Sequence, residues 1–497
     1  MRFLLCAVFL TAPMFAATCE SLAALKLPTT TITTAQVVAA GTFRPSPPIG
    51  PAQTFEALPA FCRVTATLTP TSDSEIRIEV WLPTKDWNSK FQAVGNGGFR
   101  GSISYEALAE GVQRGYASSS TDTGHAGAGG AFALGHPEKL IDYAYRSEHE
   151  MTVAARAIIA AYYGQSPKFS YWNGCSNGGR QGLKEAQRYP DDFDGIIAGA
   201  PAANWTGRAA QSVWIAQAVH RSAESALPPD KFSLLHDAVL AACDALDGVK
   251  DGVMEDPRRC KFDPKVLECK SGGDAGCLTA PQVETARRIY SPVTNPRTQQ
   301  LIFPGHQPGS ELGWTTMASP SPFSIGMDHF KYVVFQNPDW DYSTFNFDGG
   351  YSLAEKADGG AINALDPNLR PFLRRGKLLQ YHGWNDPQIS PESSVNYFNS
   401  VLDSLGGQSR VQDSYRLFMV PGMAHCGGGE GPNQFDMLTA LEQWVEKGKA
   451  PDSIIASRIK NGKLDRTRPL CPYPQVARYT GSGSIDDAAN FACQLPK

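Results

Sequence analysis

Between residues 90 and 200, short apolar runs alternate with stretches whose apolar residues have helical spacing. The apolar runs predict buried strands at residues 91–94, 116–120, 169–172 and 193–199. The helical spacing predicts helices at residues 106–115, 148–163 and 181–189. Residues 76–82 alternate apolar and polar side chains, so we expect a half-exposed strand of the antiparallel kind there. Strands that alternate with helices predict an α/β fold with a mostly parallel sheet.

This alternation breaks at about residue 205 and resumes at about residue 372. The intervening stretch mixes short helices, loops, Pro-Ser runs and many aromatic residues. Beyond it, the pattern predicts strands at residues 377–383 and 415–420 and helices at 391–405 and 434–447. We therefore expect one α/β core, formed by residues 18–204 and 372–497, that is interrupted by a lid at residues 205–371.

Residues 1–17 have the features of a cleaved secretory signal, with Arg2 before a short apolar run and small residues at its end. The run is too short to span a bilayer, and Thr18 disfavours lipid attachment at Cys19. We expect a secreted or periplasmic protein. The net charge of −4, without a long basic run, argues against nucleic acid or a membrane surface as a partner and leaves the oligomeric state open.

The chain has 11 cysteines, of which Cys6 leaves with the predicted signal. The other ten cysteines are an even number, and we expect the protein to be exported to an oxidising compartment. These two points together predict five disulfides. No C-x-x-C pattern occurs, and this disfavours structural zinc or a redox motif.

The segment Gly174-Cys-Ser176-Asn177-Gly178 lies between an apolar run and a helical pattern and fits G-x-S-x-G. A strand, a glycine-flanked serine and a helix are the context of a nucleophile elbow, which holds the serine in a strained turn. Without such a context, most matches to this pattern are loops. The context therefore predicts that Ser176 is a nucleophile and that the amide of Asn177 contributes to an oxyanion hole.

Gly95-Asn-Gly97-Gly98-Phe99 follows an early predicted strand. The loop lacks the spacing and the lysine of a P-loop, and the chain has no dinucleotide-binding glycine motif. In a hydrolase with an elbow, the amide of Gly97 or Gly98 would be the second oxyanion donor. The alternative is a tight turn. Further on, His125 and Asp122 could form a base–acid pair, although a histidine in a loop is more often structural.

A serine nucleophile needs a base, and the base needs an orienting acid. Asp386 follows one predicted strand and His425 follows the next, so both lie where open α/β sheets place active sites. The order Ser176, Asp386, His425 is the one expected of an α/β-hydrolase. His382 is a competing base, but it lies at a strand end. The competing acids are Asp122, Asp191, Asp192 and Asp194, and the last three are too close in sequence to Ser176.

The cysteines add a second constraint, because Cys175 precedes Ser176 and Cys426 follows His425. A disulfide holds its two Cα atoms about 5.5 Å apart, which would bring Ser176 and His425 within hydrogen-bond range. It would close a loop of roughly 250 residues and contribute on the order of 5 kcal/mol in the chain-entropy model. The alternative is two unrelated cysteines.

Together these segments resemble the tannase/feruloyl esterase family, whose paired Cys-Ser and His-Cys motifs have an aspartate between them. The matching segments are residues 174–179, 383–386 and 425–426, with further matches at 95–99, 121–125 and 200–202. They cover effectively the whole mature chain. The resemblance implies a secreted serine esterase for esters of aromatic acids, either galloyl or feruloyl. One branch of the family cleaves mono(2-hydroxyethyl) terephthalate.

The resemblance also implies a calcium ion in the lid, at the acidic stretch 243–256. Several carboxylates with interleaved glycines suit a hard cation with oxygen ligands, although the spacing is not that of an EF-hand. Judged from the residues alone, a solvated acidic turn is an even alternative. The implied ligands are the side chains of Asp244, Asp247 and Asp251 and the carbonyls of Val249 and Val253. The implied disulfides, besides Cys175–Cys426, are Cys19–Cys62, Cys243–Cys260, Cys269–Cys277 and Cys471–Cys493.

We therefore expect a small-molecule aromatic ester to be cleaved through an acyl-enzyme on Ser176. His425 would act as the base and Asp386 would orient it, while Phe323 or Phe330 of the lid would grip the aromatic acid. Within enzymes, the alternatives are a mono(2-hydroxyethyl) terephthalate hydrolase-like activity and a peptidase with the same triad. From another class, the alternative is a non-catalytic, calcium-dependent binding protein on a hydrolase scaffold.

Overall fold

The computed structural model describes residues 17–46, 52–270 and 276–496. The predicted signal at residues 1–17 lies almost wholly outside the described residues. Nine strands form a central sheet, namely β1 Thr30–Val38, β2 Phe61–Leu68, β3 Ile76–Pro83, β4 Lys90–Val94, β5 Ala117–Thr121, β6 Phe169–Cys175, β7 Gly195–Gly199, β8 Lys377–Gly383 and β9 Tyr415–Val420.

The strands lie in the order β1-β2-β3-β5-β4-β6-β7-β8-β9. β1, β2, β3 and β5 pair antiparallel in succession. Every neighbouring pair from β5 to β9 is parallel. The prediction of a mostly parallel sheet is therefore confirmed. Because parallel strands end at the same edge, the loops that follow β4, β6, β7, β8 and β9 meet there.

Helices cover both faces of the sheet and continue between β7 and β8. The longer ones are α1 Tyr105–Gln113, α2 Ser147–Tyr163, α3 Asn177–Arg188, α4 Trp205–Val219, α5 Pro229–Cys243, α6 Ala280–Tyr290, α7 Gly349–Ala357, α8 Glu392–Leu405 and α9 Met437–Lys447. Shorter α-helices span Ala52–Glu56, Pro137–Ile141, Ser324–Asp328, Arg370–Leu373 and Gln408–Val411.

Two apolar clusters show how the sheet is covered. On one face, α2, α3 and α8 pack against the sheet through residues such as Met151, Leu183 and Phe398. On the other face, α9 packs through Leu441 and Trp444. Burial on both faces makes the sheet a rigid support for the loops at its edge.

The expectation of a half-exposed strand at residues 76–82 is wrong. The strand is antiparallel to both neighbours, but Arg77 is its one exposed residue. The polar position Glu79 is 4% exposed and points into the protein, where it accepts hydrogen bonds from Arg63, Trp81 Nε1 and Tyr105. Because its carboxylate has hydrogen-bond donors around it, Glu79 can occupy an interior position. The alternation of apolar and polar residues alone would have placed this side chain in solvent.

Between β7 and β8, no described residue adds a strand to the central sheet. This part of the chain is more helical than expected, because α4 and α5 have 15 residues each. It also contains a small hairpin of Val293–Thr294 and Leu301–Phe303.

Past β9, two further hairpins pair Ile454–Lys460 with Lys463–Leu470 and Val476–Tyr479 with Phe491–Gln494. Within the described ranges, no helix has both the length and the apolar character needed to cross a bilayer.

Candidate active site

Ser176 lies at the tip of the turn between β6 and α3, as the strand–turn–helix pattern predicted. Its backbone has φ 63° and ψ −121°, a conformation that costs an L-residue free energy and persists only where packing imposes it. The glycines allow that packing. A Cβ at Gly174 would lie 2.4 Å from the carbonyl oxygen of Gly178, and a Cβ at Gly95 would lie 2.5 Å from the Cα of Gly178. The amide of Ser176 is held by the carbonyl of Gly199 at 2.9 Å.

Asp386 and His425 lie on the loops that follow β8 and β9 and contact each other directly. The Nδ1 atom of His425 is 2.7 Å from Oδ2 of Asp386. The carboxylate is completely buried, whereas the His425 side chain is 13% exposed. An aspartate on Nδ1 fixes the tautomer in which Nε2 is free to accept a proton.

His382 also contacts Asp386, from the interior. Its Nε2 atom lies 3.0 Å from Oδ2 of Asp386 and 3.1 Å from the carbonyl of Ile389, so this nitrogen must carry the hydrogen. Its Nδ1 atom is 2.7 Å from Oγ of Ser394. His382 is therefore not placed as a base for Ser176. It lies on the far side of the acid and holds the acid in place.

The environment of Asp386 favours its ionised form. Burial alone would raise the pKa of this carboxyl, but the charge and hydrogen bond of His425 and the hydrogen bond of His382 outweigh burial and hold the pKa far below its ordinary value. The amides of Gln388 and Ile389 donate to its other oxygen at 2.8 and 3.0 Å. The acid is thus fully hydrogen-bonded and ready to stabilise a positive charge on His425.

A disulfide joins the nucleophile loop to the histidine loop. Cys175 and Cys426 are bonded, with their Cα atoms 6.0 Å apart. Among the hydrogen bonds of the described residues none joins Ser176 Oγ to the His425 ring, so here the covalent bridge holds the two loops together. The other four bridges are the implied ones, Cys19–Cys62, Cys243–Cys260, Cys269–Cys277 and Cys471–Cys493.

The predicted oxyanion donors belong to the elbow itself and to a loop that packs against it. Asn177 is the first residue of α3, where a backbone amide has no helical partner. The Gly97–Gly98 loop is beside the elbow, because Gly95 packs on Gly178. The Tyr143 hydroxyl donates to the carbonyl of Gly98 at 2.9 Å and so restricts the orientation of that peptide.

Asp122 and His125 do not form a base–acid pair. Asp122 accepts hydrogen bonds from the amides of Arg77 and Gly124, each at 2.9 Å. His125 contacts the Thr123 hydroxyl at 3.2 Å and, through Nε2, the carbonyl of Phe99 at 2.8 Å. The histidine is therefore structural, and its contact with Phe99 anchors the loop that carries Gly97 and Gly98.

The acidic loop of the predicted calcium site fits a cation in its chemistry but not, as placed, in its geometry. The like charges of Asp251 and Asp244 add to burial in raising the pKa of Asp247. Asp251, however, is paired with Arg468 and lies 3.3 Å from Arg466. No three or more acidic, histidine or cysteine side chains in the described part of the chain are arranged to hold a metal ion. The carbonyls of Val249 and Val253 would have to complete the site.

Of the two aromatic candidates in the lid, Phe323 is half-buried beneath the guanidinium of Arg208, whose Cζ is 4.4 Å from the ring centre. Phe330 is completely buried in an apolar cluster that also includes residues of the core, and it lies 5.1 Å from the ring of Trp340. Sequence reasoning missed Arg208 and His306, which are 4% and 2% exposed. No sequence signal identifies them, because charged and polar residues on a helix or in a loop are ordinarily exposed.

A strained serine at a strand–helix turn, with an aspartate–histidine pair on the next loops of a parallel sheet, defines a serine hydrolase of the α/β-hydrolase fold. The profile of the family "Tannase and feruloyl esterase" matches residues 62–494, which is most of the chain. The chain belongs to this family and is a carboxylic-ester hydrolase.

Individual relatives agree with this assignment. An uncharacterised esterase of Xanthomonas campestris is 38% identical, with 97% of this chain and 92% of the relative covered. A probable feruloyl esterase B-1 of Aspergillus oryzae is 35% identical, with coverages of 87% and 84%. The crystal structure of feruloyl esterase B from Aspergillus oryzae superposes with a TM-score of 0.90 at 33% identity, covering 96% of this chain and 99% of that one.

The tannin acyl hydrolase from Aspergillus niger has the same fold, with a TM-score of 0.78 at 23% identity and coverages of 95% and 92%.

Proposed function

We propose that the protein hydrolyses esters of aromatic, phenolic acids through an acyl-enzyme on Ser176, with His425 as general base and Asp386 as the orienting acid. One observation carries this proposal. The Asp386–His425 pair, with 2.7 Å between Oδ2 and Nδ1, is tied to the strained serine by the Cys175–Cys426 bridge. The aromatic acyl group is supported by the family and by the feruloyl esterases among the relatives.

In the first half-reaction, Oγ of Ser176 attacks the ester carbonyl carbon while Nε2 of His425 takes the hydroxyl proton. The carbonyl oxygen becomes an oxyanion, to which the amides of Asn177 and of Gly97 or Gly98 donate. His425 then gives its proton to the departing alcohol. In the second half-reaction, water attacks the acyl-enzyme with His425 again as base, and Ser176 is released with its proton.

The test compares Ser176→Ala with the unchanged enzyme on methyl gallate, methyl ferulate and mono(2-hydroxyethyl) terephthalate. Loss of the nucleophile should lower kcat by about 10⁴-fold or more. Ser400→Ala is the matched control, because Ser400 Oγ contacts a carbonyl of its own helix, α8, at 2.7 Å. Full turnover by Ser176→Ala would refute the assignment. The three substrates also show whether galloyl, feruloyl or terephthaloyl esters are preferred.

We also propose a structural calcium ion in the loop of Asp244, Asp247 and Asp251, with the carbonyls of Val249 and Val253 as further ligands. The support is the resemblance and the crowding of like charges that a cation would relieve, and on binding the ion Asp251 would have to give up its pairing with Arg468. Melting is measured in excess calcium and in excess chelator. The proposal predicts a lower Tm in chelator, and a much smaller difference in Asp247→Asn. Equal melting of the unchanged protein in the two conditions would exclude the ion.

We propose further that the protein is secreted or periplasmic. Five disulfides fit folding in an oxidising compartment. The measurement is fractionation of the source cells with an antibody against the chain, and a purely cytoplasmic, reduced protein would contradict the proposal.

A further inference from the structure

The lid contains a buried arginine with an unused donor. Arg208 lies on α4, is 4% exposed, and donates from Nε to the carbonyl of Gln388 at 3.3 Å. Its Nη1 nitrogen has no hydrogen-bond partner among the residues that the structure describes. Burial lowers the pKa of Arg208 to about 10, so the guanidinium is charged at neutral pH. A buried cation with an unpaired N–H is costly, so this nitrogen calls for a partner, and a bound ligand is one way to supply it.

Four contacts place this guanidinium over the active site. Gln388, which it bonds, donates its amide to Asp386 at 2.8 Å. The guanidinium also stacks on Phe323, with its Cζ atom 4.4 Å from the ring centre. Two residues further along the chain, Cδ1 of Ile325 lies 2.8 Å from the position that a Cβ on Gly98 would occupy. Arg208 therefore lies between the acid of the triad and the loop of the second oxyanion donor.

A second buried group near Arg208 also lacks a well-formed partner. Among the described residues, neither ring nitrogen of His306 forms a hydrogen bond of good geometry, although the residue is 2% exposed and a backbone group of Asp386 is close enough to act on its pKa. The charges of Asp386 and Arg208 both act on this histidine, although burial is what mainly lowers its pKa, to about 4. The unpaired polar atoms thus occur together, on the lid side of the catalytic groups.

We propose that Arg208 recognises an oxygen acceptor on the acyl group of the substrate, a phenolic or carboxylate oxygen remote from the ester. This inference rests on the proposed hydrolysis of aromatic esters. The aromatic ring would lie near Phe323, and its distal oxygen would accept a hydrogen bond from the free N–H of Arg208 Nη1. A hydrogen bond to a charged group is worth about 1.5–3 kcal/mol, or roughly 10–100-fold in kcat/KM. Acyl groups without such an oxygen leave the cation unpaired.

The experiment uses two substrate pairs, and the members of each pair differ only in the group that carries the acceptor oxygen, a hydroxyl in one pair and a carboxylate in the other. Methyl 4-hydroxycinnamate is compared with methyl cinnamate, and monomethyl terephthalate with methyl benzoate. The proposal predicts that Arg208→Met lowers the kcat/KM ratio within at least one pair by about 10–100-fold. The affected pair shows whether the acceptor is phenolic or carboxylate. Arg208→Lys, which keeps the charge, should lower that ratio less.

Arg288→Met is the matched control, since Arg288 also stacks on an aromatic ring of the lid, that of Trp214. Ratios within twofold of the unchanged enzyme in both pairs, for a folded Arg208→Met, would overturn the proposal. Failure of the unchanged enzyme on all four esters would instead refute the proposed function.

A binding measurement avoids any change at Arg208. In Ser176→Ala, calorimetry should show that the oxygen-bearing ester of the affected pair binds at least about tenfold more tightly than its partner. Equal dissociation constants in both pairs would also overturn the proposal.

Discussion

The catalytic pair and two buried residues from the stretch between β7 and β8 differ in how their polar groups are satisfied. Asp386 accepts hydrogen bonds from two histidines and two amides, and His382 is bonded at both ring nitrogens. Arg208 and His306 are also buried, and among the described residues they keep nitrogens without a well-formed hydrogen bond. The first arrangement fixes the groups that carry the chemistry. The second leaves hydrogen-bonding capacity for a substrate, so reaction and specificity reside in different parts of the fold.

Replacing Asp386, the acid at the centre of the hydrogen-bonded catalytic groups, should have the largest effect on kcat. Asp386→Asn keeps the shape but removes the charge opposite His425 and favours the wrong tautomer, so kcat should fall by about 10⁴-fold. Steady-state kinetics on methyl ferulate measure this loss. Asp192→Asn is the control, because Asp192 forms a similar contact with His149, at 2.6 Å, away from the site. If Asp192→Asn lowered kcat as much as Asp386→Asn does, the loss could not be assigned to a catalytic role of Asp386.

Removing the Cys175–Cys426 bridge should have the second-largest effect. With both cysteines changed to serine, the chain-entropy model predicts a loss of about 5 kcal/mol in unfolding free energy. We also expect kcat to fall by more than tenfold, because the two loops are no longer held together. Denaturant melts and kinetics give the two values.

The bridge Cys471–Cys493 provides the comparison, since it closes a separation of 22 residues rather than 251. Its double serine variant should lose less stability and keep its kcat. If the two variants have the same kcat, the bridge acts on stability alone.

Changes at His382 should have a smaller effect on kcat. His382→Gln can still donate to Asp386 from its amide nitrogen, whereas His382→Leu cannot and leaves the carboxylate one donor short. We expect about a tenfold lower kcat in His382→Leu, with KM little changed, and partial recovery in His382→Gln. If both variants lose kcat equally, the histidine fills space and does not orient the acid.

The smallest effect on catalysis is expected at a buried acid behind the elbow, where the predicted change is in stability instead. Burial raises the pKa of Glu148 to about 7, above its ordinary value of 4.5. The folded state then binds the extra proton between these values, so stability from this group is present below about pH 4.5 and is lost as pH rises to about 7. Glu148→Gln should lack this loss, which is on the order of 3 kcal/mol at most. Melts from pH 5 to 8 measure it, and parallel curves for the two proteins would contradict it.

Sequence patterns predicted those features of the fold and the site that depend on local spacing. Buried parallel strands are continuous apolar runs, and the glycines at 174 and 178 are required by contacts of 2.4 and 3.1 Å that a Cβ would make. The order of Ser176, Asp386 and His425 followed from their positions after strands.

The missed features depend on tertiary burial. The edge strand β1 has exposed and half-buried residues throughout, so its pattern is weak. Glu79 and Arg208 are charged residues whose interior positions depend on partners distant in sequence. His382 was weighed as a base, because its position at a strand end does not show which side of Asp386 it occupies.

The most direct test of Ser176 as the nucleophile is active-site labelling with a fluorophosphonate, followed by peptide mass mapping. We expect one phosphonyl group per chain, on Ser176, with activity lost in proportion to labelling. Asp386→Asn should label much more slowly, because His425 is then a poorer base. Inactivation without an adduct on Ser176, or a fully labelled Ser176 in an enzyme that keeps its activity, would contradict the account.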